Sequence, residues 1–360
     1  MIICPQSLRQ NTLPVRHSRS ERIRPERRLI YICNGDSIAE ISVIMGVLCT
    51  RERIPLLARA LRSVLEQTYS NFEIIICDDG SDEEARAFPD DLSQACEKVR
   101  VVRGSARNFG ISRANGGLIT FADADDVADP QHISALVGAL YENGADCAVC
   151  GYYEDSAGSS EARALPCPES MSRDTAVYNM LRTDLYQGFV WNKLFRRELI
   201  ESGGVRFDEN ISYCEDLLFC AEYLRLCSKV TCVPTASYHY RKRRDSAVNS
   251  PLTSPERALE MLSGIAAIRL CGELYSHDRR ISALSAARAK TECARLLRRA
   301  YAAGADENTL AILRREMSSG SGSVMLSGCT AREKIKYYTT RLFPRAASRF
   351  WNGREIGRLP

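Results

Sequence analysis

Two acidic turns draw attention first in this 360-residue chain: Asp78-Asp79-Gly80-Ser81-Asp82 and Asp123-Ala124-Asp125-Asp126. Carboxylates crowded into a turn repel one another unless a cation or hydrogen-bond donors neutralise them. An Asp-x-Asp turn offers two hard oxygen ligands close together, as Mg2+ or Mn2+ shared with a diphosphate requires. The plain alternative is that such turns are solvated loops and helix N-caps, and for a single turn that alternative is the stronger one. Here each turn follows an apolar, strand-sized run, EIIIC before the first and LITF before the second. Two such turns after consecutive strands favour a nucleotide-dependent transferase. A further pair, Glu215-Asp216, runs into Leu217-Leu218-Phe219, where an apolar neighbourhood would raise a carboxylate pKa and suit a general base. Read alone, the pair is more simply an exposed helix N-terminus.

The elements that must hold these groups follow from apolar periodicity. ISVIMGVL from Ile41 has the β-branched, apolar character of a buried parallel strand. Pro55 opens a helix with Leu57, Leu61, Val64 and Leu65 on one face. Strands are expected at Glu73–Cys77, Val99–Val102, Leu118–Phe121 and Cys147–Tyr153, with helices at Asp82–Glu97 and Pro130–Asn143. This alternation predicts an α/β fold with a parallel, helix-covered sheet, whose ligands bind beyond the carboxyl ends of the strands. Farther on, helices are expected at Trp191–Glu201 and Glu215–Cys227, a strand at Lys229–Tyr240, and a helical module from Pro255. The expected organisation is a disordered basic extension over 1–40, a catalytic domain over 41–250, a helical C-terminal module over 251–317, and a linker with a basic aromatic tail over 318–360.

Charge divides along the chain in the same way. Its net +4 comprises +5 in residues 1–30 and +6 in residues 331–360, which leaves −7 for the middle 300. An acidic body argues against nucleic-acid wrapping. The 15 cysteines are scattered through apolar segments, which reads as reduced, mostly buried thiols in a cytoplasmic protein. Cys147 and Cys150 lack the second pair or the histidines of a metal knuckle. No stretch reaches the roughly 18 apolar residues of a membrane-spanning helix, and no secretory signal is evident.

Several segments together resemble family 2 glycosyltransferases of the capsule and cell-wall polysaccharide type, which have the GT-A fold. The carriers are ISVIM, SVLEQTYSNFEIIICDDGSD from Ser63 and ARNFGISRANGGLITFADADD from Ala106. WNKLFRRELI, RFDE, YCEDLLFCAEYL and YHYRKRRDS between Trp191 and Ser246 resemble the second half. The resemblance implies a GT-A-like, Rossmann-like mixed sheet, mainly parallel, and transfer of a sugar from a nucleotide diphosphate sugar with inversion. It also implies roles by position. Asp79, helped by Asp78, would contact the donor's uracil, and Arg107 and Asn108 would line the nucleotide pocket. Asp123 and Asp125 would bind Mn2+ or Mg2+ with the ribose or diphosphate, Asp125 as the firmer metal ligand. Asp216 would be the catalytic base, and His239 a late metal or diphosphate contact.

The sequence departs from the family at Met45-Gly46-Val47-Leu48-Cys49-Thr50, where residues that touch the base are expected, so Gly46 joins the candidate nucleotide contacts. The segment from Val102 to Asn108 is also short. A structural histidine is an equal reading of His239, and a core aromatic the better reading of Trp191. The competing functions are a non-catalytic binding or assembly protein with a decayed nucleotide-sugar site, and a metal-dependent nucleotidyltransferase. The expected partners are the donor and a glycan or lipid-linked acceptor, with no nucleic acid. From Arg332 the tail interleaves basic and aromatic residues, as an interfacial segment on the cytoplasmic face of a membrane would, or a helix docked on the domain.

Overall fold

The computed structural model describes residues 39–104, 106–156, 158–163, 165, 170–182, 185–243, 250–318 and 328–356. All but the last two residues of the expected extension over 1–40 lie outside the described residues. The first half alternates as the periodicity requires: β1 (Ile41–Val47), α1 (Ile54–Leu65), β2 (Phe72–Asp78), α2 (Glu83–Ala95), β3 (Val99–Arg103), α3 (Ala106–Arg113) and β4 (Leu118–Asp123). The strands lie parallel in the order β3-β2-β1-β4. Both faces of this sheet are covered. Every residue of β2 is buried, as a doubly covered strand demands. Alternate side chains serve opposite layers. Val43, Met45, Ile74 and Ile76 meet Leu57 and Leu61 of α1, whereas Ile44, Ile75 and Phe121 face the second core.

Beyond β4 come β5 (Val127–Ala128), α4 (His132–Glu142), β6 (Cys147–Ser156), β7 (Ser159–Arg163), β8 (Ser170–Met171) and α5 (Arg173–Leu181). Then follow β9 (Lys193–Arg196), α6 (Arg197–Ser202), α7 (Glu215–Leu224) and β10 (Val230–Arg241). The full order is β3-β2-β1-β4-β9-β6-β10-β5, with β7 on β6 and β8 on β10. This is the expected α/β class with a mixed sheet. One expectation fails: Trp191–Glu201 is not a single helix. Lys193–Arg196 runs antiparallel between β4 and β6, and helix occupies only Arg197–Ser202. Leu194 and Phe195 join opposite cores, so two-sided burial and two ladder partners override local propensity.

The C-terminal helices are α8 (Pro255–Leu274), α9 (Arg279–Ala303), α10 (Glu307–Ser318), α11 (Ala331–Leu342) and α12 (Pro344–Ile356). The second core continues from Phe121 and Phe195 into Leu284, Leu297 and Leu313 of this module. The tail docks on α9. Tyr337 packs with Ala287 and Ala294, Arg298 donates to Thr340 Oγ1 at 2.8 Å, and Ser348 donates to the Arg298 carbonyl at 3.0 Å. Most of the expected linker falls in 319–327, outside the described residues. The described cysteines form no disulfide, and all but Cys214 and Cys329 are buried. Among the described residues no helix is long and apolar enough to cross a membrane.

Candidate active site

The carboxyl ends of β1, β2 and β4 meet at one edge of the sheet. The register sets Gly46 opposite Cys77 on one side and Asp123 on the other, so the central strand ends between the two acidic turns. In the first turn Asp78 points inward and accepts the N–H groups of Gly80 at 3.3 Å and Ser81 at 2.8 Å. Burial alone would raise its carboxyl, but those bonds and Arg86 hold it below the usual range. Asp78 shapes the turn, while Asp79 is exposed at its tip and donates its N–H to the Val47 carbonyl. In the second turn the Asp123 N–H donates to the Tyr238 hydroxyl at 3.0 Å, and Arg243 lies 2.7 Å from Asp125. The buried Asp126 accepts the Arg241 N–H at 2.8 Å.

Across the cleft stands the first turn of α7. Its N-cap, Cys214, adopts a left-handed conformation at φ 61°, and Glu215 and Asp216 follow. Arg107 of α3 reaches both: Nη1 lies 2.9 Å from Glu215 and 2.9 Å from Asp216, and Nη2 lies 3.3 Å from Asp123. One guanidinium thus joins β4 to α7. Beneath it lies an apolar floor. Phe121 meets Phe195, Phe207 and Phe219 edge to face, Phe207 stacks on Phe219 at 4.3 Å, and Arg107 sits 5.3 Å above Phe207. Burial pushes the Asp216 carboxyl up to about 7; Arg107 pulls the other way, and Glu215 and Asp123 add to the rise. Asp123 is likewise raised by burial, against Arg107, with Asp125 and Glu215 contributing. Asp123 and Asp125 offer carboxylate oxygens of the hard type that a divalent cation takes.

Two expected site residues are otherwise engaged. Asn108 donates to the Phe207 carbonyl at 2.8 Å and accepts the Phe207 N–H at 2.8 Å, which ties α3 to the loop before α7. His239 bridges Asp155 at 3.0 Å and Asp129 at 3.2 Å and stacks on Tyr153, so both ring nitrogens face carboxylates other than Asp123 and Asp125. No group of three or more His, Cys, Asp or Glu among the described residues is arranged to hold a metal ion. Trp191 is buried and stacks on Tyr238, as a core aromatic.

Comparison with known proteins adds a further observation. Residues 46–204 match the model of the glycosyl transferase family 2. Over that stretch, 159 of the 360 residues, the chain is similar to glycosyltransferase family 2. The uncharacterized glycosyltransferase EpsJ of Bacillus subtilis is 29% identical over 210 residues, 55% of this chain and 60% of that protein. The succinoglycan biosynthesis protein ExoO of Rhizobium meliloti is 25% identical over 226 residues, 59% of this chain and 64% of that protein. The chain thus spans less than two thirds of the length of these curated relatives. Among solved structures, S. aureus TarS 1-349 in complex with UDP-GlcNAc superimposes with a TM-score of 0.55 at 16% identity, covering 86% of this chain and 88% of that one, a likeness of fold.

Sequence reasoning missed one buried cation beside this site. Lys193, on β9, donates to the carbonyls of Gln187 at 3.0 Å and Phe189 at 2.5 Å, and to Asn192 Oδ1 at 3.0 Å. It fixes the loop against which α7 rests. Gly188 of that loop approaches α7 so closely that a Cβ there would lie 2.6 Å from the Leu217 Cα. A lysine just ahead of Leu194 and Phe195 was the available signal, and the helical reading of Trp191–Glu201 concealed it. On the far side of Cys214 a cavity of about 310 Å³ opens between Gln187, Tyr213, Arg288, Arg295 and Lys336.

Proposed function

We propose that the protein is an inverting glycosyltransferase that moves a sugar from a nucleotide diphosphate sugar, UDP-linked in the first instance, to a hydroxyl of a glycan or lipid-linked acceptor. The observation that carries this reading is the Arg107 bridge, which sets Asp123, at the end of a nucleotide-side strand, beside Asp216 on a helix 93 residues later. The relatives' names support it: EpsJ is called a glycosyltransferase, and ExoO is named for succinoglycan biosynthesis, which supports surface polysaccharide as the product class.

In this reading the exposed Asp79 accepts hydrogen bonds from the donor's base beside Gly46, and Asp78 keeps the turn in shape. Asp123 and Asp125 would hold Mn2+ or Mg2+, which when bound supplies positive charge to the departing diphosphate. Arg107 sets the distance between the donor side and the base. Asp216 takes the proton of the acceptor hydroxyl, and the phenylalanine floor raises its proton affinity toward the working range of a general base. A single base opposite the leaving group implies direct displacement and hence inversion. His239 acts as a tie between β5, β6 and β10, outside the metal group.

The test is a panel of UDP-, GDP- and dTDP-sugars with Mn2+, read by thermal shift and slow donor hydrolysis. UDP-sugars come first because TarS, which shares the fold, was solved with UDP-GlcNAc. Stabilisation and hydrolysis with one donor class are expected. A folded protein that answers to none of them would favour the non-catalytic binding reading.

A further inference from the structure

Large apolar side chains exposed among the described residues concentrate in the tail. Five of nine, Ile335, Tyr338, Leu342, Phe343 and Phe350, belong to α11, α12 and the joint between them, and Leu342 and Phe343 are each 66% exposed. The two sides of α11 are sharply different. Tyr337 and Thr340 are buried against α9, whereas Ile335, Tyr338 and Leu342 fall at i, i+3 and i+7 and share the outward stripe. Lys334, Arg341, Arg345 and Arg349 are exposed around that stripe. The tail is therefore docked on one face and open on the other, and the open face combines aromatic and aliphatic groups with basic ones.

Charge selects among occupants of this face. A second copy would bring the same basic groups against themselves, and residues 1–30 carry +5, so both would meet like charge. An anionic lipid surface is complementary in both respects: the headgroups attract Lys and Arg, and the acyl boundary accepts Leu and Phe. We propose that the outward face of α11 and α12 seats the protein on an anionic membrane surface, with Leu342 and Phe343 inserted and Lys334, Arg341, Arg345 and Arg349 on the headgroups. Among the described residues no helix is long and apolar enough to cross the bilayer. The proposal makes no demand on the catalytic site.

The experiment is co-sedimentation of the full chain with vesicles of phosphatidylcholine alone and with about one third phosphatidylglycerol. Binding to the anionic vesicles is expected to be at least about tenfold tighter than to neutral ones and to weaken in high salt. Leu342→Ser/Phe343→Ser, at two exposed positions, is expected to lower it by about tenfold or more with unchanged thermal unfolding. Arg341→Glu/Arg345→Glu is a second variant that addresses charge alone and is expected to do the same. Three results would overturn the proposal: no binding of the wild type to anionic vesicles, binding unchanged in both variants, or a wild-type dimer that the apolar variant turns into a monomer. Binding that emerges only after residues 1–38 are deleted would assign the face to that segment instead.

Discussion

Asp216 lies under opposed influences: an apolar floor that favours its neutral form and a guanidinium at 2.9 Å that favours its charge. In the proposed role it is active when deprotonated. With a pKa near about 7, kcat/KM should fall about tenfold per pH unit below that value and level off above it, which a pH–rate profile measures. Asp216→Asn should lower kcat by about 10²–10⁴-fold while leaving donor affinity within a few-fold, checked by transfer assay beside calorimetry. Retained transfer would remove Asp216 as the base. The strand-end positions of the two acidic turns were legible in the sequence because each follows an apolar, strand-sized run, whereas Asp216 was singled out by the family resemblance. The directions of their neighbours were not legible. Asn108 turns to the Phe207 backbone and His239 to Asp129 and Asp155, choices made by chain segments about 100 residues distant. The Arg107 bridge to Glu215 and Asp216 spans 108 and 109 residues, beyond any local pattern.

Among the elements, α3, β4 and α7 meet through that same guanidinium. Arg107→Ala leaves three neighbouring carboxylates without their shared cation and should cost about 2–3 kcal/mol, less than a fully buried pair because each group keeps some solvent contact. The sign with pH follows. Carboxyls with folded pKa values above their unfolded ones bind protons on folding, so the variant's deficit should be smaller near pH 5 and grow as pH rises through about 7. Urea unfolding at two pH values checks this. Gly188→Ala should cost about 1–3 kcal/mol and reduce transfer, because its Cβ meets the backbone of α7 and must displace the turn that carries Asp216. Denaturation and activity measured together would show it; an unchanged protein would mean that the loop yields freely. The first, parallel half of the sheet was readable from strands and helices that alternate at their own periods. The antiparallel β9 was not, because four residues offer too few repeats to separate a strand from the first turn of the helix that follows.

For the whole molecule, the C-terminal helices continue the core of the sheet domain. Tyr337 is the main apolar anchor of the tail on α9, so Tyr337→Ala should destabilise by about 2–4 kcal/mol in chemical denaturation. An unchanged midpoint would mean that the tail folds independently of the body. The charge division seen in the sequence persists in three dimensions: the acidic body holds the carboxylate turns, and the basic excess of the tail lies on an outward face. Where the two are set relative to each other depends on α9. At 25 residues it is about 38 Å long, and it touches α5, α8, α10, α11 and α12, while its Arg295 bonds the hydroxyl of Tyr213 just ahead of α7. Such a helix works as a spacer. A tail bolted to it holds the cleft at a set height above whatever surface the tail rests on, so acceptors would be sorted by how far their hydroxyl stands from that surface as well as by their chemistry.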